Sequence, residues 1–306
     1  MATSPQANRK YILDFDGTIT KSDTISTLFS LALTTDPSQH KSQAHGAILS
    51  GYAQDYSAHA AAYEPQSRDT LASELAFLRS LAPVEQRSFA RVSASRILAG
   101  VDFSLAAGAA VTVIGDGDGE VAATNGAREV RVEIRKGFTA VLRELEDRQS
   151  PWAVLSVNFS RDFIAGIIRH ALGRDTAGGF KIISNSVDFQ TGAISGPGGK
   201  RVLATCQDKR HYLQELREEW REETEELVYV GDSATDLECL MDADVGIVIV
   251  NEGDEEGSGL LKTLRRIGLT AVHVSEFRGR DDANKKVLFW ARDFEEIIAG
   301  GVVTLR

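Results

Sequence analysis

The sequence predicts an α/β protein: a doubly wound, Rossmann-like parallel sheet core with an inserted, mainly helical unit. Short apolar segments of strand length alternate with helical segments over the second half of the chain. Polar residues follow directly after three short apolar segments, one near the start of the chain and two in its second half: Asp14, Ser156 and Asp232. A long stretch rich in Ala, Ser and Leu, with apolar residues at helical spacing, separates the first two. Ligands of such sheets bind beyond the carboxyl ends of the strands, so these three residues predict one site.

Composition narrows the class of protein. The 306 residues are 42% hydrophobic, enough for one large domain and a smaller one. The formal net charge of -10 argues against a nucleic-acid or membrane-surface binder, but not against a phosphorylated small molecule. Cys206 and Cys239 lack metal-type spacing and read as free thiols of a reducing compartment. With no apolar run in residues 1–10 and no window of membrane-spanning length, we expect a cytoplasmic location. The oligomeric state is not indicated.

The first strand leads into two carboxylates. Residues 11–13 form a short apolar strand, followed by Asp14, Asp16 and the turn residue Gly17. Alternation along an extended chain points both acids the same way. Their position is costly unless a partner such as Mg²⁺ is present, and one acid could attack as a nucleophile while the other transfers protons. A solvated Asx-type turn is the alternative.

The stretch that follows is predicted to be helical. A helix begins near Ser26, and several more, packed as a small separate unit, are expected between residues 40 and 100. Their apolar stripe is assigned to core packing: Leu71, Leu75, Leu78 and Leu81. Residues 101–127 are rich in Gly and Ala and have no clear pattern, which favours a solvated loop or hairpin.

From residue 131 onward strands and helices alternate. We predict strands at 132–134, 152–155, 181–183, 227–230, 245–250 and 270–274, and helices at 138–145, 161–172, 209–226, 237–242 and 286–298. The segment 188–199 is rich in turn residues.

Four segments of the chain resemble the four motifs of the haloacid dehalogenase superfamily of phosphohydrolases. They are Asp14-Phe-Asp16-Gly-Thr18, Ser156 after its strand, Lys209, and Gly231-Asp232-Ser-Ala-Thr-Asp236. The helical insertion resembles that of the phosphoserine-phosphatase-like branch. The core motifs look most similar to fungal phosphatases of this superfamily and to plant thiamine-monophosphate phosphatase domains. The resemblance implies a core domain of residues 1–22 and 128–306 and a helical cap of residues 23–127.

The resemblance also implies catalytic and metal-binding roles. Asp14 would be the nucleophile that forms an aspartyl-phosphate, and Asp16 the general acid and base. Mg²⁺ would be held by Asp14, by the backbone carbonyl of Asp16 and by Asp232. Asp236 would be a ligand through water or would orient Lys209.

Further residues are implied to contact the substrate. Ser156 and Lys209 would bind the phosphoryl oxygens, with Asn158 assisting. Asp23 stands where the branch often carries a glutamate that reaches the substrate, so phosphoserine specificity does not transfer. Lys200 is the alternative to Lys209.

Each of these residues also has a structural interpretation. Ser156 could be a turn residue, Lys209 surface charge, and Asp236 an acid at a helix N-terminus. We expect a Mg²⁺-dependent phosphomonoesterase acting on a small phosphorylated metabolite. The alternatives are a catalytically retired binding or regulatory protein and a dehalogenase.

Overall fold

The fold is centred on a seven-stranded parallel sheet. The computed structural model describes residues 9–35, 39–64, 67–104, 111–114, 130–173, 180–220, 226–279 and 286–303. The strands are β1 (Arg9–Leu13), β2 (Val111–Ile114), β3 (Val130–Glu133), β4 (Trp152–Leu155), β5 (Lys181–Ile183), β6 (Ser186–Val187), β7 (Ile194–Ser195), β8 (Glu226–Gly231), β9 (Val245–Ile249), β10 (Ala271–His273) and β11 (Leu288–Ala291). The order in the large sheet is β10-β11-β9-β8-β1-β4-β5, which confirms the predicted doubly wound α/β class.

The direction of winding reverses beside β1. The chain runs from β1 through β4 to the edge strand β5 and returns to β8 on the other side of β1. Leu13, near the end of β1, pairs with Val154 of β4 and with Val230 of β8. The carboxyl ends of these three strands therefore lie side by side at a topological switch point, where such sheets bind their ligands.

Helices cover both faces of the sheet. They are α1 (Ile25–Thr35), α2 (Gln39–Ala62), α3 (Leu71–Ser80), α4 (Ala82–Ser95), α5 (Phe138–Asp147), α6 (Arg161–Leu172), α7 (Cys206–Glu219), α8 (Leu237–Asp242), α9 (Gly259–Arg266) and α10 (Phe294–Ala299). Consecutive residues of β1 pack in hydrophobic clusters on opposite faces of the sheet, Ile12 in one cluster and Leu13 in the other. Burial on both faces explains why the strands are continuous apolar runs.

Helices α1 to α4 pack directly against the α/β unit. Phe29 of α1 and Phe89 of α4 both contact Phe159, which follows β4. Leu71, Leu75 and Leu78 of the predicted stripe lie on α3 and pack against the cluster that contains residues of α7 and α8, whereas Leu81 packs in a smaller cluster. Residues of α1, α2 and α4 thus share a hydrophobic cluster with the sheet. That residues 23–127 act as a cap domain stays a prediction.

Three predicted elements differ in the structure. Residues 286–298 are not one helix, because β11 lies between β9 and β10 and bonds to both before Asp293 caps α10. Its Leu-Phe-Trp-Ala sequence is rich in aromatic residues that favour strands. The segment 101–127, predicted to be a solvated loop or hairpin, contains strand β2, which pairs with β3 in parallel; its residues 105–110 and 115–127 lie outside the described ranges. Helix α7 begins at Cys206 rather than Lys209, because Thr205 forms its capping box.

No helix within the described ranges is both long enough and apolar enough to cross a membrane. Cys206 and Cys239 are both buried and free.

Candidate active site

Three loops bring the predicted site residues together at the switch point. Asp14, Ser156 and Asp232 each come directly after the last residue of β1, β4 and β8, which are neighbours in the sheet. Asp14 is 4% exposed and Ser156 is fully buried. The backbone nitrogen of Asp14 donates to the carbonyl of Val230 at 2.9 Å, which ties the first loop to β8. The structure therefore places these three residues at one site, as the sequence predicted.

Lys209 lies at the centre of this site. Its Nζ donates to Asp14 Oδ1 and to Asp236 Oδ1, both at 2.7 Å, and its side chain is fully buried. Burial by itself would lower the pKa of Lys209, but the two carboxylates outweigh burial and raise it. Lys200, the sequence-based alternative, is exposed at the end of a short turn.

Asp236 is saturated with hydrogen bonds. Its Oδ1 accepts from Lys209 and from the Tyr229 hydroxyl at 2.6 Å. Its Oδ2 accepts from the backbone nitrogens of Asp232 and Ser233 at 3.2 and 3.0 Å and from the Ser233 hydroxyl at 3.0 Å. A carboxylate has about four lone-pair positions. Of the two roles that the resemblance left open, orienting Lys209 fits this geometry better than binding a metal.

Asp232 lies against the turn of the first motif. The Thr18 hydroxyl donates to its Oδ1 at 3.2 Å. Gly17 has a φ of +73°, and a Cβ built on it would lie 2.2 Å from Asp232 Oδ2. Glycine is therefore needed at residue 17 both for the left-handed backbone and for the close approach of the carboxylate.

Asp16 is hydrogen-bonded to Thr24 and Asn158 rather than to Lys209 in the described contacts. Its Oδ1 accepts from the Thr24 backbone nitrogen at 2.8 Å and from the Thr24 hydroxyl at 2.5 Å. Its Oδ2 accepts from Asn158 Nδ2 at 2.8 Å. Burial is the main cause that raises the pKa of Asp16 to about 6, with the charge of Asp23 adding to it.

The remaining predicted residues have local partners. Ser156 Oγ accepts from the backbone nitrogen of Asn158 at 3.1 Å. Asn158 is fully buried and its amide contacts Asp16 and Thr24, not an open phosphoryl position. Asp23 is exposed, and its Oδ1 accepts from the backbone nitrogen of Ile25 at 2.7 Å, at the start of α1.

Three carboxyl groups, but only one cationic side chain, that of Lys209, lie at the centre of the site as described above. Carboxylate oxygens of Asp14, Asp232 and Asp236 lie within 4.8 Å of one another. Burial raises the pKa of Asp14 well above its usual range and that of Asp232 to about 7. Because both oxygens of Asp236 already accept hydrogen bonds, Asp14 and Asp232 are the hard oxygen donors of this cluster that could hold a divalent cation, whose charge would relieve the repulsion between the ionised acids.

Sequence reasoning missed a buried arginine that supports this loop. Arg135 follows β3 and is 3% exposed. Its guanidinium donates to the carbonyls of Gly17 and Thr18 at 2.6 and 2.9 Å, and to Asn251 Oδ1 at 3.1 Å. Because its partners are mostly backbone carbonyls distant in sequence, no motif signals it. Sequence reasoning also missed Thr24, which donates to Asp16, and Tyr229, which lies within the apolar run of β8 and donates to Asp236.

Comparison with known proteins identifies the family. A model of haloacid dehalogenase-like hydrolases matches residues 11–244, and the chain belongs to this family of hydrolases. A CTO1 family protein of Schizosaccharomyces pombe is 26% identical over 296 residues, covering 93% of this chain and 96% of that protein. The resemblance drawn from the four motifs is thereby confirmed at the level of the family.

Solved structures with a similar fold include two of phosphoserine phosphatase. One, a phospho-aspartyl intermediate analogue, is 17% identical with a TM-score of 0.46 and covers 96% of this chain and 98% of its own. The other, a substrate-bound complex, is 16% identical with a TM-score of 0.47 and the same coverage.

Proposed function

We propose that the protein is a Mg²⁺-dependent phosphomonoesterase that hydrolyses a small phosphorylated metabolite through an aspartyl-phosphate on Asp14. The observation that carries this proposal is the buried Asp14–Lys209–Asp236 arrangement at the switch point of a haloacid dehalogenase-like hydrolase. In this arrangement the Asp14 carboxylate, the proposed nucleophile, lies beside the buried positive charge of Lys209. This supports the proposal because phosphoryl transfer depends mainly on positioning and charge neutralisation.

The donor set fits a magnesium ion. Asp14 and Asp232 each have a carboxylate oxygen without a hydrogen bond among the described contacts, whereas both oxygens of Asp236 are used. In this proposal Asp14, Asp232 and the backbone carbonyl of Asp16 hold the ion, and Asp236 fixes Lys209. When bound, Mg²⁺ supplies positive charge to the phosphoryl oxygens.

The residues divide the reaction between them. A carboxylate oxygen of Asp14 attacks phosphorus, the bond from phosphorus to the ester oxygen breaks, and Asp16 gives that oxygen its proton. Water then attacks the phosphorus of the aspartyl-phosphate and gives a proton to Asp16, and the bond from phosphorus to Asp14 breaks. Lys209 and Ser156 bind the phosphoryl oxygens throughout. Asp23, exposed at the start of α1, would face the rest of the substrate.

The proposal is tested by phosphate release. The wild-type protein should hydrolyse p-nitrophenyl phosphate with Mg²⁺ and lose this activity in excess chelator. Asp14→Asn should be inactive and form no phosphoenzyme in rapid-quench mass spectrometry, because an amide is a poor nucleophile. Asp147→Asn, an exposed acid at the end of α5, is the matched control and should keep full activity.

Other outcomes distinguish the alternatives. Hydrolysis that persists in chelator, or an adduct on a residue other than Asp14, would contradict the mechanism. A protein that binds phosphorylated metabolites without hydrolysing them would be the retired binding protein. A panel of sugar phosphates, phosphoserine and thiamine monophosphate would then identify the substrate class of an active enzyme.

A further inference from the structure

We propose that Thr24 and Asn158 are positioning residues that together fix the direction of the Asp16 carboxyl group toward the leaving-group oxygen. This inference rests on the proposed phosphomonoesterase function. It assigns Asn158 a role different from the phosphate binding that the resemblance implies.

The two residues surround Asp16 with donors from separate parts of the chain. Thr24 precedes α1 and donates through both its backbone nitrogen and its hydroxyl to Asp16 Oδ1. Asn158 lies in the loop after β4 and donates to Asp16 Oδ2. Its amide also donates to the Thr24 hydroxyl at 3.1 Å, so the three side chains form a closed ring of hydrogen bonds.

The orientation of the Asn158 amide follows from its other contact. Its Oδ1 accepts from the Ser160 backbone nitrogen at 3.0 Å, so its nitrogen must face Asp16 and Thr24. Both amide hydrogens are then used within this ring, and neither remains for a phosphoryl oxygen. The Thr24 hydroxyl, which accepts from Asn158, must in turn donate to Asp16.

Asn158 is itself held rigidly. Its backbone carbonyl accepts from the Ser184 hydroxyl at 2.9 Å and from Asn185 Nδ2 at 3.0 Å. Its backbone nitrogen donates to Ser156 Oγ. Thr24 is 2% exposed and Asn158 is fully buried, so water has little access to these two donors. The ring of Asp16, Thr24 and Asn158 is therefore anchored to the loop after β4 through Asn158, and it connects this loop to the segment that precedes α1 through Thr24.

Such a ring matters because proton transfer depends on geometry. A displacement of about 1 Å in a reacting group can cost about 100-fold in rate. General acid–base catalysis typically contributes about 10²–10⁴-fold. We therefore expect loss of either positioning residue to slow the steps that need Asp16 by about 10- to 100-fold.

The experiment compares two leaving groups. Thr24→Val removes the hydroxyl and keeps the backbone donor, whereas Thr24→Ser keeps both. Asn158→Asp keeps the acceptor for Ser160 but places an oxygen against Asp16. The matched control is Thr27→Val, a buried threonine of α1 that makes no hydrogen bond to Asp16 in the described contacts. Formation of the phosphoenzyme is measured by rapid quench with p-nitrophenyl phosphate and with glycerol 2-phosphate.

We expect the Thr24→Val and Asn158→Asp variants to be phosphorylated at near the wild-type rate by p-nitrophenyl phosphate, whose leaving group needs little protonation. Phosphorylation by glycerol 2-phosphate should be about 10- to 100-fold slower. Thr24→Ser and Thr27→Val should resemble the wild type. In an Asp16→Asn background the same two substitutions should change neither rate, because residues that act through Asp16 lose their effect once it is removed.

Several results would overturn the inference. Equal slowing for both substrates, or effects that persist in the Asp16→Asn background, would indicate a structural or phosphate-binding role. Unchanged rates would show that the ring is dispensable. If thermal unfolding shows that Asn158→Asp does not fold, the Thr24→Val and Thr24→Ser pair decides alone. A wild-type protein that hydrolyses neither ester would instead refute the proposed function, and this inference with it.

Discussion

Substituting Asp232 by Asn should make the metal-free protein more stable at pH 8. Burial raises the pKa of this carboxyl from the usual 3.8 to about 7, so the folded state holds its proton more strongly than the unfolded state does. Stability contributed by this group is therefore present below about pH 4 and is lost as the pH rises to about 7. An amide of the same shape carries no such penalty and keeps the oxygen that accepts from Thr18.

The magnitude follows from the difference in pKa. A change from 3.8 to about 7 corresponds to roughly 4 kcal/mol of unfolding free energy at full effect. Asp232 is only partly buried and solvent screens part of its charge, so we expect about 1–3 kcal/mol. Mg²⁺ should reduce or reverse this difference in stability, because an ion at 100 times its Kd stabilises the wild type by about 2.7 kcal/mol and the substituted protein much less.

Urea unfolding monitored by tryptophan fluorescence provides the assay. The two proteins are compared in chelator at pH 5 and pH 8, and again at pH 8 with Mg²⁺. Asp147→Asn serves as the control and should match the wild type throughout. The reasoning would be refuted if Asp232→Asn were no more stable than the wild type at pH 8, or if the difference were the same at pH 5.

Three further substitutions each remove a cationic side chain from a buried partner. Lys209→Met leaves two buried carboxylates unpaired and should cost about 3–5 kcal/mol in urea unfolding, whereas Lys200→Met should stay within about 0.5 kcal/mol. Arg135→Gln removes hydrogen-bond donors from the loop of the first motif and should destabilise the protein by about 1–3 kcal/mol. Because this loop contains proposed metal ligands, we also expect phosphatase activity to require a higher Mg²⁺ concentration. An unchanged Mg²⁺ requirement would contradict a role of Arg135 in supporting the loop. Arg79→Gln breaks the bidentate pair with Glu238 and should cost about 1–3 kcal/mol, partly recovered by the added substitution Glu238→Gln if the pair is the cause.

The strands that carry the site were predictable because of how they are buried. Parallel strands covered on both faces are short apolar runs, and an acid placed directly after such a run has no simple structural explanation. Asp14 and Asp232 met both conditions, so their convergence could be predicted from order along the chain. The exact neighbours in the sheet, which depend on contacts of distant segments, could not.

Other elements depend on tertiary contacts. The segment Leu288–Ala291 has apolar residues that suit a helix or a strand, and only its place between two strands decides for the strand. Arg135 has carbonyl partners, which every residue offers, and therefore leaves no pattern in the sequence. The family resemblance implies that Asn158 assists in binding phosphate, whereas in the structure its buried amide donates to Asp16 and Thr24.

The hydrogen bonds of the four acids divide them into two pairs with different capacities. Asp236 and Asp16 have both oxygens occupied by donors, and an acid held in this way is fixed in direction. Asp14 and Asp232 have one oxygen each bound by a donor, which leaves the other for a cation or an electrophile. Asp236 and Asp16 are thus suited to orient a neighbouring cation or a proton. Asp14 and Asp232 are suited to bind a metal ion, and Asp14 also to attack phosphorus. A single cluster of like residues can therefore carry separate roles, because neighbouring donors, rather than the identity of the acid, decide which oxygens remain open.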